Sequence, residues 1–179
     1  MRPNFAINAT MMLGLVGSLA FPASLRAEPD QRVMFVAAMS IDTGRWGLSY
    51  SGDVGPLRLE AGTAFAAYHR TDSETSLRSN GASSWVGIGT AWSRAGNIDG
   101  IDSAFEFHVT AAPTLTLFGS SARRLSVTSR PGFGMRLGRF SFAFDFALEV
   151  VLAENSSDLW PEDRATILPG VHFGVGAAL

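Results

Sequence analysis

The sequence predicts an all-β chain, an eight-stranded antiparallel up-and-down transmembrane β-barrel, and three observations lead there. Residues 139–153, "RFSFAFDFALEVVLA", alternate strictly, with Phe140, Phe142, Phe144, Phe146, Leu148, Val150 and Leu152 on one face. Arg139, Ser141, Ala143, Asp145, Ala147 and Glu149 occupy the other. A period of two belongs to a strand, whose successive side chains point to opposite faces. Hydrophobic residues make up 46% of the 179 and charged ones 17%, with a mean hydropathy of +0.17. That is too apolar for a disordered chain and sparse in charge for a soluble one. Yet no apolar run of about eighteen residues follows the N-terminal region, so membrane helices are not expected.

The chain opens on "MRPNFAINATMMLGLVGSLAFPASLRAEPD", with one early Arg, an apolar core from Met11 to Phe21 and small residues ahead of the charged "EPD". This is the layout of a secretory signal peptide. Residues 1–27 are read as that signal, with cleavage between Ala20 and Ala27, and residues 28–179 as one barrel domain. The fourteen basic residues are all Arg and are scattered, and the net charge is −2, so no nucleic-acid partner is expected. With no Cys, disulfides, thiolate catalysis and Cys-ligated metals are excluded.

Eight alternating segments follow. "VMFVAAMSID" sets Val33, Phe35, Ala37, Met39 and Ile41 in register, and "RWGLSYS" sets Trp46, Leu48 and Tyr50. "LRLEAGTAFA" opposes Leu57, Leu59 and Phe65 to Arg58 and Glu60, and "WVGIGTAWS" opposes Val86, Ile88 and Trp92 to Trp85 and two glycines. "AFEFHVTAAPTLTLF" carries Phe105 and Phe107 against Glu106 and His108. "LSVTSRPGFGMRL" carries Phe133 and Met135 against Arg130 and Arg136. The stretch quoted first is the seventh, and "ATILPGVHFGVGAAL", with Phe173 opposite His172, is the eighth. "GDVG", "RAGNIDGID" and Gly138-Arg139 are read as turns at one end, and "HRTDSETSLRSNGASS" and "ENSSDLWPEDR" as long loops at the other. Short turns on one side and longer loops on the other suit a barrel that crosses a membrane.

The direction of the greasy face decides between two barrels. A soluble lipocalin-like barrel that binds an apolar ligand turns its apolar face inward, whereas a membrane barrel turns it out. Here the less apolar face is rich in Gly and Ala with few charges, a poor surface for water but a good filling for a narrow interior. Phe105, Phe107, Phe133, Phe140, Phe142, Phe144, Phe146 and Phe173 are therefore expected to face lipid, with girdles at Trp46, Trp92 and Phe118. The interior ionisable set is Arg58, Glu60, Glu106, His108, Arg130, Arg136, Asp145, Glu149 and His172. Charges out of water must be paired, and a two-residue Gly138-Arg139 turn places Asp145 and Glu149 diagonal to Arg130.

The ending "HFGVGAAL" resembles the C-terminal assembly signal of the small eight-stranded bacterial outer-membrane barrels, through His172, Gly174, Ala177 and Leu179, with a terminal Leu in place of an aromatic. The resemblance implies the outer membrane of a Gram-negative bacterium and a role in envelope integrity or surface interaction. It also implies outer-membrane lipid, lipopolysaccharide and the barrel assembly machinery as partners.

Enzymatic alternatives rest on fewer residues. His69, Asp72 and Ser73 supply a base, a carboxylate and a hydroxyl, the groups acyl transfer needs, and their types resemble those serving the outer-membrane lipid A palmitoyltransferase. Lipid A deacylation uses a His-x-Ser pair, to which only His108 and Thr110 compare. Glu106 and His108 share a face and form a candidate general-base pair. With His172 they would make three metal ligands, but on strands five and eight, across the barrel, so neither metal nor cofactor is expected. Pro113 and Pro131, on adjacent strands at similar heights, remove ladder donors and mark a candidate lateral gap, or a bend; Pro169 does the same on the eighth strand.

Overall fold

A computed structural model describes residues 31–54, 57–71, 76–119, 122–155 and 166–179. The proposed signal segment, Asp72 and Ser73, and most of "ENSSDLWPEDR" lie outside the described residues. Eight strands follow in chain order: β1 (Arg32–Ser40), β2 (Thr43–Val54), β3 (Leu57–Thr71), β4 (Ser76–Ile98), β5 (Ile101–Phe118), β6 (Ala122–Leu137), β7 (Phe140–Asn155) and β8 (Ile167–Ala178). Each pairs antiparallel with its neighbour, and β8 closes on β1, so the sheet is a closed barrel with no edge strand. The shortest strand has 9 residues and the longest 23, against about 9–11 needed to cross a bilayer at a tilt.

Several strands run further than the alternation alone suggests. Asp99 and Gly100 both adopt positive φ, 52° and 85°, the backbone a two-residue hairpin turn demands. The stretch read as the broad turn "RAGNIDGID" therefore closes tightly, and pairing continues from Arg94–Phe105 to Ile98–Ile101. The supposed loop "HRTDSETSLRSNGASS" is also mostly strand. Its backbone stays paired through Tyr68–Ser79 and His69–Arg78 to Thr71–Ser76, so pairing overrides a Ser-, Asn- and Gly-rich composition that suggests a loop. Likewise β2 extends to Val54, into "GDVG".

One row of paired residues followed around the ring defines the geometry. It leaves β4 at Trp92, passes through Phe107, Phe133, Phe144, Phe173, Ala37, Trp46 and Phe65, and returns to β4 at Ala82, ten residues along the strand. At ~3.3 Å per residue and ~4.8 Å between strands, this stagger tilts the strands by about 40° to the barrel axis. Seven of those eight positions before closure are aromatic and sit on the outer face, and four successive pairs touch. Ring centroids are 5.9 Å apart for Trp92–Phe107, 5.3 Å for Phe133–Phe144, 4.9 Å for Phe144–Phe173 and 4.8 Å for Trp46–Phe65.

The greasy face is outside. Phe35, Phe105, Phe107, Phe140, Phe146 and Val175 are exposed on the exterior, while Arg58, Glu106, Arg124, Asp145 and Glu149 are buried within. Phe144 is only half-buried because Phe133, Phe146 and Phe173 crowd it on the same outer surface. Phe118 corrects the girdle expectation. It is 1% exposed and packs against Tyr68 inside the barrel, with a centroid separation of 5.8 Å. Leu117 faces out, and a single residue step along a strand reverses the face.

Candidate functional site

Alternation delivers the charges to the lumen, where they form two clusters separated by smaller side chains. The first lies toward the end that holds the Asp99-Gly100 turn. Glu106 on β5 accepts from Arg32 Nη2 at 2.6 Å and from Arg58 Nη2 at 2.8 Å, with a further bond from Arg58 Nη1. Arg58 Nε also donates to Asp53 at 3.2 Å. His108, two residues along β5, sets its Nδ1 3.1 Å from Glu106 Oε1.

From His108 the network crosses three strands. Its Nε2 donates to Asp145 Oδ1 at 2.7 Å, and His172 Nδ1 donates to Asp145 Oδ2 at 2.8 Å. His108, Gly132, Asp145 and His172 are successive partners across β5, β6, β7 and β8. Asp145 must therefore pass over β6, and it does so across Gly132, where a Cβ would stand 2.1 Å from Oδ1. The same device recurs opposite. Trp85 lies over Gly62, where a Cβ would meet the indole at 2.1 Å, and reaches Glu60 Oε1 with its Nε1–H at 2.7 Å.

In the second cluster Arg45 forks onto Glu149, with bonds of 2.9 and 3.0 Å, and donates to Ser83 at 3.1 Å. Ser126 adds a bond to Glu149 at 2.8 Å. Arg124, whose side chain is fully buried, donates to Asp42 at 3.0 Å and Glu154 at 2.8 Å and lies over the Phe118 ring. Bidentate and shared carboxylate contacts of this kind hold two strands at a defined separation.

The residues expected inside are found at distinct places. Arg58, Glu106 and His108 belong to the first cluster, joined through Asp145 to His172; Glu149 belongs to the second; Glu60 bridges the space between. Arg136 is half-buried on β6. Arg130 does not pair with its diagonal neighbours Asp145 and Glu149. Its Nη2 donates across the lumen to Glu60 at 2.8 Å, because the two histidines take Asp145 and Arg45 takes Glu149. His108 and His172, expected across the barrel from one another, share that one carboxylate instead. Among the described residues no group of three His, Asp or Glu is arranged to hold a metal.

Arg32, Arg45 and Arg124 went unassigned, although a parity signal was present. Arg32 is in phase with Met34, Arg45 out of phase with Trp46, and Arg124 in phase with Ser126. Each sits at or beyond the edge of its alternating segment, on a strand that starts earlier than the alternation. Of the acyl-transfer trio only His69 is described, exposed on β3 opposite Arg78.

The prolines interrupt two different seams. Pairing of β4 with β5 skips Val86–Pro113 and Gly87–Ala112, and pairing of β6 with β7 skips Arg130–Ala147 and Pro131–Phe146, each resuming in the same register. Between them β5 and β6 pair without a break from Ser103–Leu137 to Phe118–Ala122. The two prolines thus do not open a common gap. The bulge lies elsewhere, between Leu125 and Ser126, where β7 carries Leu152 as an extra residue. Pro169 keeps its place opposite Leu148.

Fold and lumen together define a class: a closed eight-stranded up-and-down barrel with charged residues inside and aromatic residues outside. No family model matches the chain, and no curated protein matches it. Among solved structures it is similar to Neisserial surface protein A, with a TM-score of 0.37 and 7% identity over 84% of this chain and 94% of that one. It is similar also to a major outer membrane protein from Thermus thermophilus, with a TM-score of 0.40 and 10% identity over 83% and 99%.

Proposed function

We propose that the chain is an outer-membrane barrel of a Gram-negative bacterium, with a structural role in envelope integrity or surface interaction rather than a catalytic one. The observation that carries this reading is the inverted polarity. A belt of apolar and aromatic side chains faces outward around the whole ring, while Arg45, Arg58 and Arg130 are turned inward and bonded to Glu149, Glu106 and Glu60. Water around such an exterior would expose a contiguous apolar surface far larger than soluble monomers tolerate; lipid removes that cost. The ion pairs and the Tyr68–Phe118 packing fill an interior that an eight-stranded barrel leaves just wide enough for side chains, which argues against a general diffusion pore.

In this reading the start of β1, the end of β8 and the tight turns at Asp99-Gly100 and Gly138-Arg139 face the periplasm, and the opposite rim of the barrel faces outward with lipopolysaccharide. The assembly machinery engages the chain through β8, which makes the closing pairs with β1. Membrane fractionation followed by electrophoresis of unheated and boiled samples tests the proposal. Recovery with outer membranes and heat-dependent migration is expected; recovery in the soluble periplasm overturns it.

A further inference from the structure

The two charged clusters leave a cavity of about 50 Å³ between them, walled by Ala38, Ala112, Ala147 and Leu168 and reached by Arg130 and His172. Both polar residues are more than nine-tenths buried. Each spends one nitrogen on a carboxylate, Arg130 Nη2 on Glu60 and His172 Nδ1 on Asp145. Arg130 Nε and His172 Nε2 then have no hydrogen-bond partner among the described residues. A buried polar atom in that condition is uncommon and costly. The pair is also chemically complementary. Arg130 Nε–H can only donate, while a His172 whose Nδ1–H serves Asp145 presents Nε2 as an acceptor in its neutral form.

We infer that this cavity is a binding site for one small neutral molecule carrying a hydroxyl group beside a short alkyl chain. The hydroxyl oxygen accepts from Arg130 Nε–H and its proton goes to His172 Nε2, so both orphaned atoms are satisfied without bringing a new charge into the lumen. The alkyl part lies against the alanines and Leu168. Size sets the limit. A single water needs roughly 10–15 Å³ on this measure, so the space takes on the order of four waters, or one molecule of about four non-hydrogen atoms. The inference concerns the lumen and stands apart from the membrane role proposed above.

The experiment uses the folded full chain in detergent micelles, titrated with 1-propanol and followed by nitrogen NMR of the Arg130 Nε–H group and the His172 ring. Saturable shifts at both groups are expected. Filling the cavity with Ala38→Leu should raise the half-saturation concentration about tenfold, the equivalent of ~1.4 kcal/mol. Ala147→Val fills the other wall and serves if the first variant fails to fold, as judged by heat-dependent migration. Shifts that grow linearly without saturation overturn the site, as do saturable shifts unchanged in a folded filling variant. Persistent water contacts at Arg130 Nε–H that propanol does not displace would equally show a water-filled lumen and overturn it.

Discussion

Several carboxylates in this lumen are shared by two or three partners, whereas Arg130 commits its charge to one, so substitution there discriminates sharply. Arg130 neutralises Glu60 across the lumen, and Arg130→Ala leaves that carboxylate with Trp85 alone. Loss of one member of a buried pair costs about 3–5 kcal/mol. Arg123, exposed on β6, should cost under ~0.5 kcal/mol when changed to Ala. Urea midpoints of the two variants in lipid vesicles check the difference, and equal midpoints would refute it. Gly132→Val is expected to be as damaging, because its side chain would occupy the path of Asp145 and break the bond to His108. Gly44→Ala, whose nearest neighbour would be an indole carbon at 3.8 Å, should be nearly silent. For the enzymatic alternative, lipid A from cells carrying Ser73→Ala or His108→Ala should match that of the wild type; changed acylation would show a catalytic role. The identity of the interior residues was legible because parity alone assigns a face. Their partners were not: Arg130 reaches β3 across the lumen, and no local pattern states which strands a closed ring brings opposite.

At the level of the strands, existence and face were legible and extent was not. Ser, Asn and Gly between Ser76 and Ser84 carry the composition of a loop, yet β3 and β4 stay paired there as far as Thr71–Ser76. Asp99-Gly100, in contrast, was a tight-turn signal embedded in a longer polar run. The proline interruptions carry their own expectation. Pro131 withholds an amide from the β6–β7 seam, and a missing hydrogen bond facing lipid is uncompensated. Pro131→Val supplies that amide, so its urea midpoint should rise by the equivalent of about 0.5–1.5 kcal/mol. A fall would mean that the proline ring fits a bend the seam requires.

The whole molecule is a sheet closed with a stagger of ten residues, and that stagger turns a simple alternation into a spiral of aromatic rings outside and a crossed network of ion pairs within. Closure removes every strand edge, which is what a β-structure needs to satisfy its backbone in lipid. The central claim is that the exterior meets hydrocarbon, and the direct test is an arginine scan along the outer face of β7. Phe140, Phe144, Leu148 and Leu152 are replaced singly by Arg, each beside its Ala control, and folding free energies are measured in lipid vesicles. The account predicts a cost that peaks at the mid-strand positions, about 2–4 kcal/mol beyond Ala, and falls to ~0–1 kcal/mol toward the strand ends. Equal costs at all four positions, or arginine no worse than alanine, would contradict it.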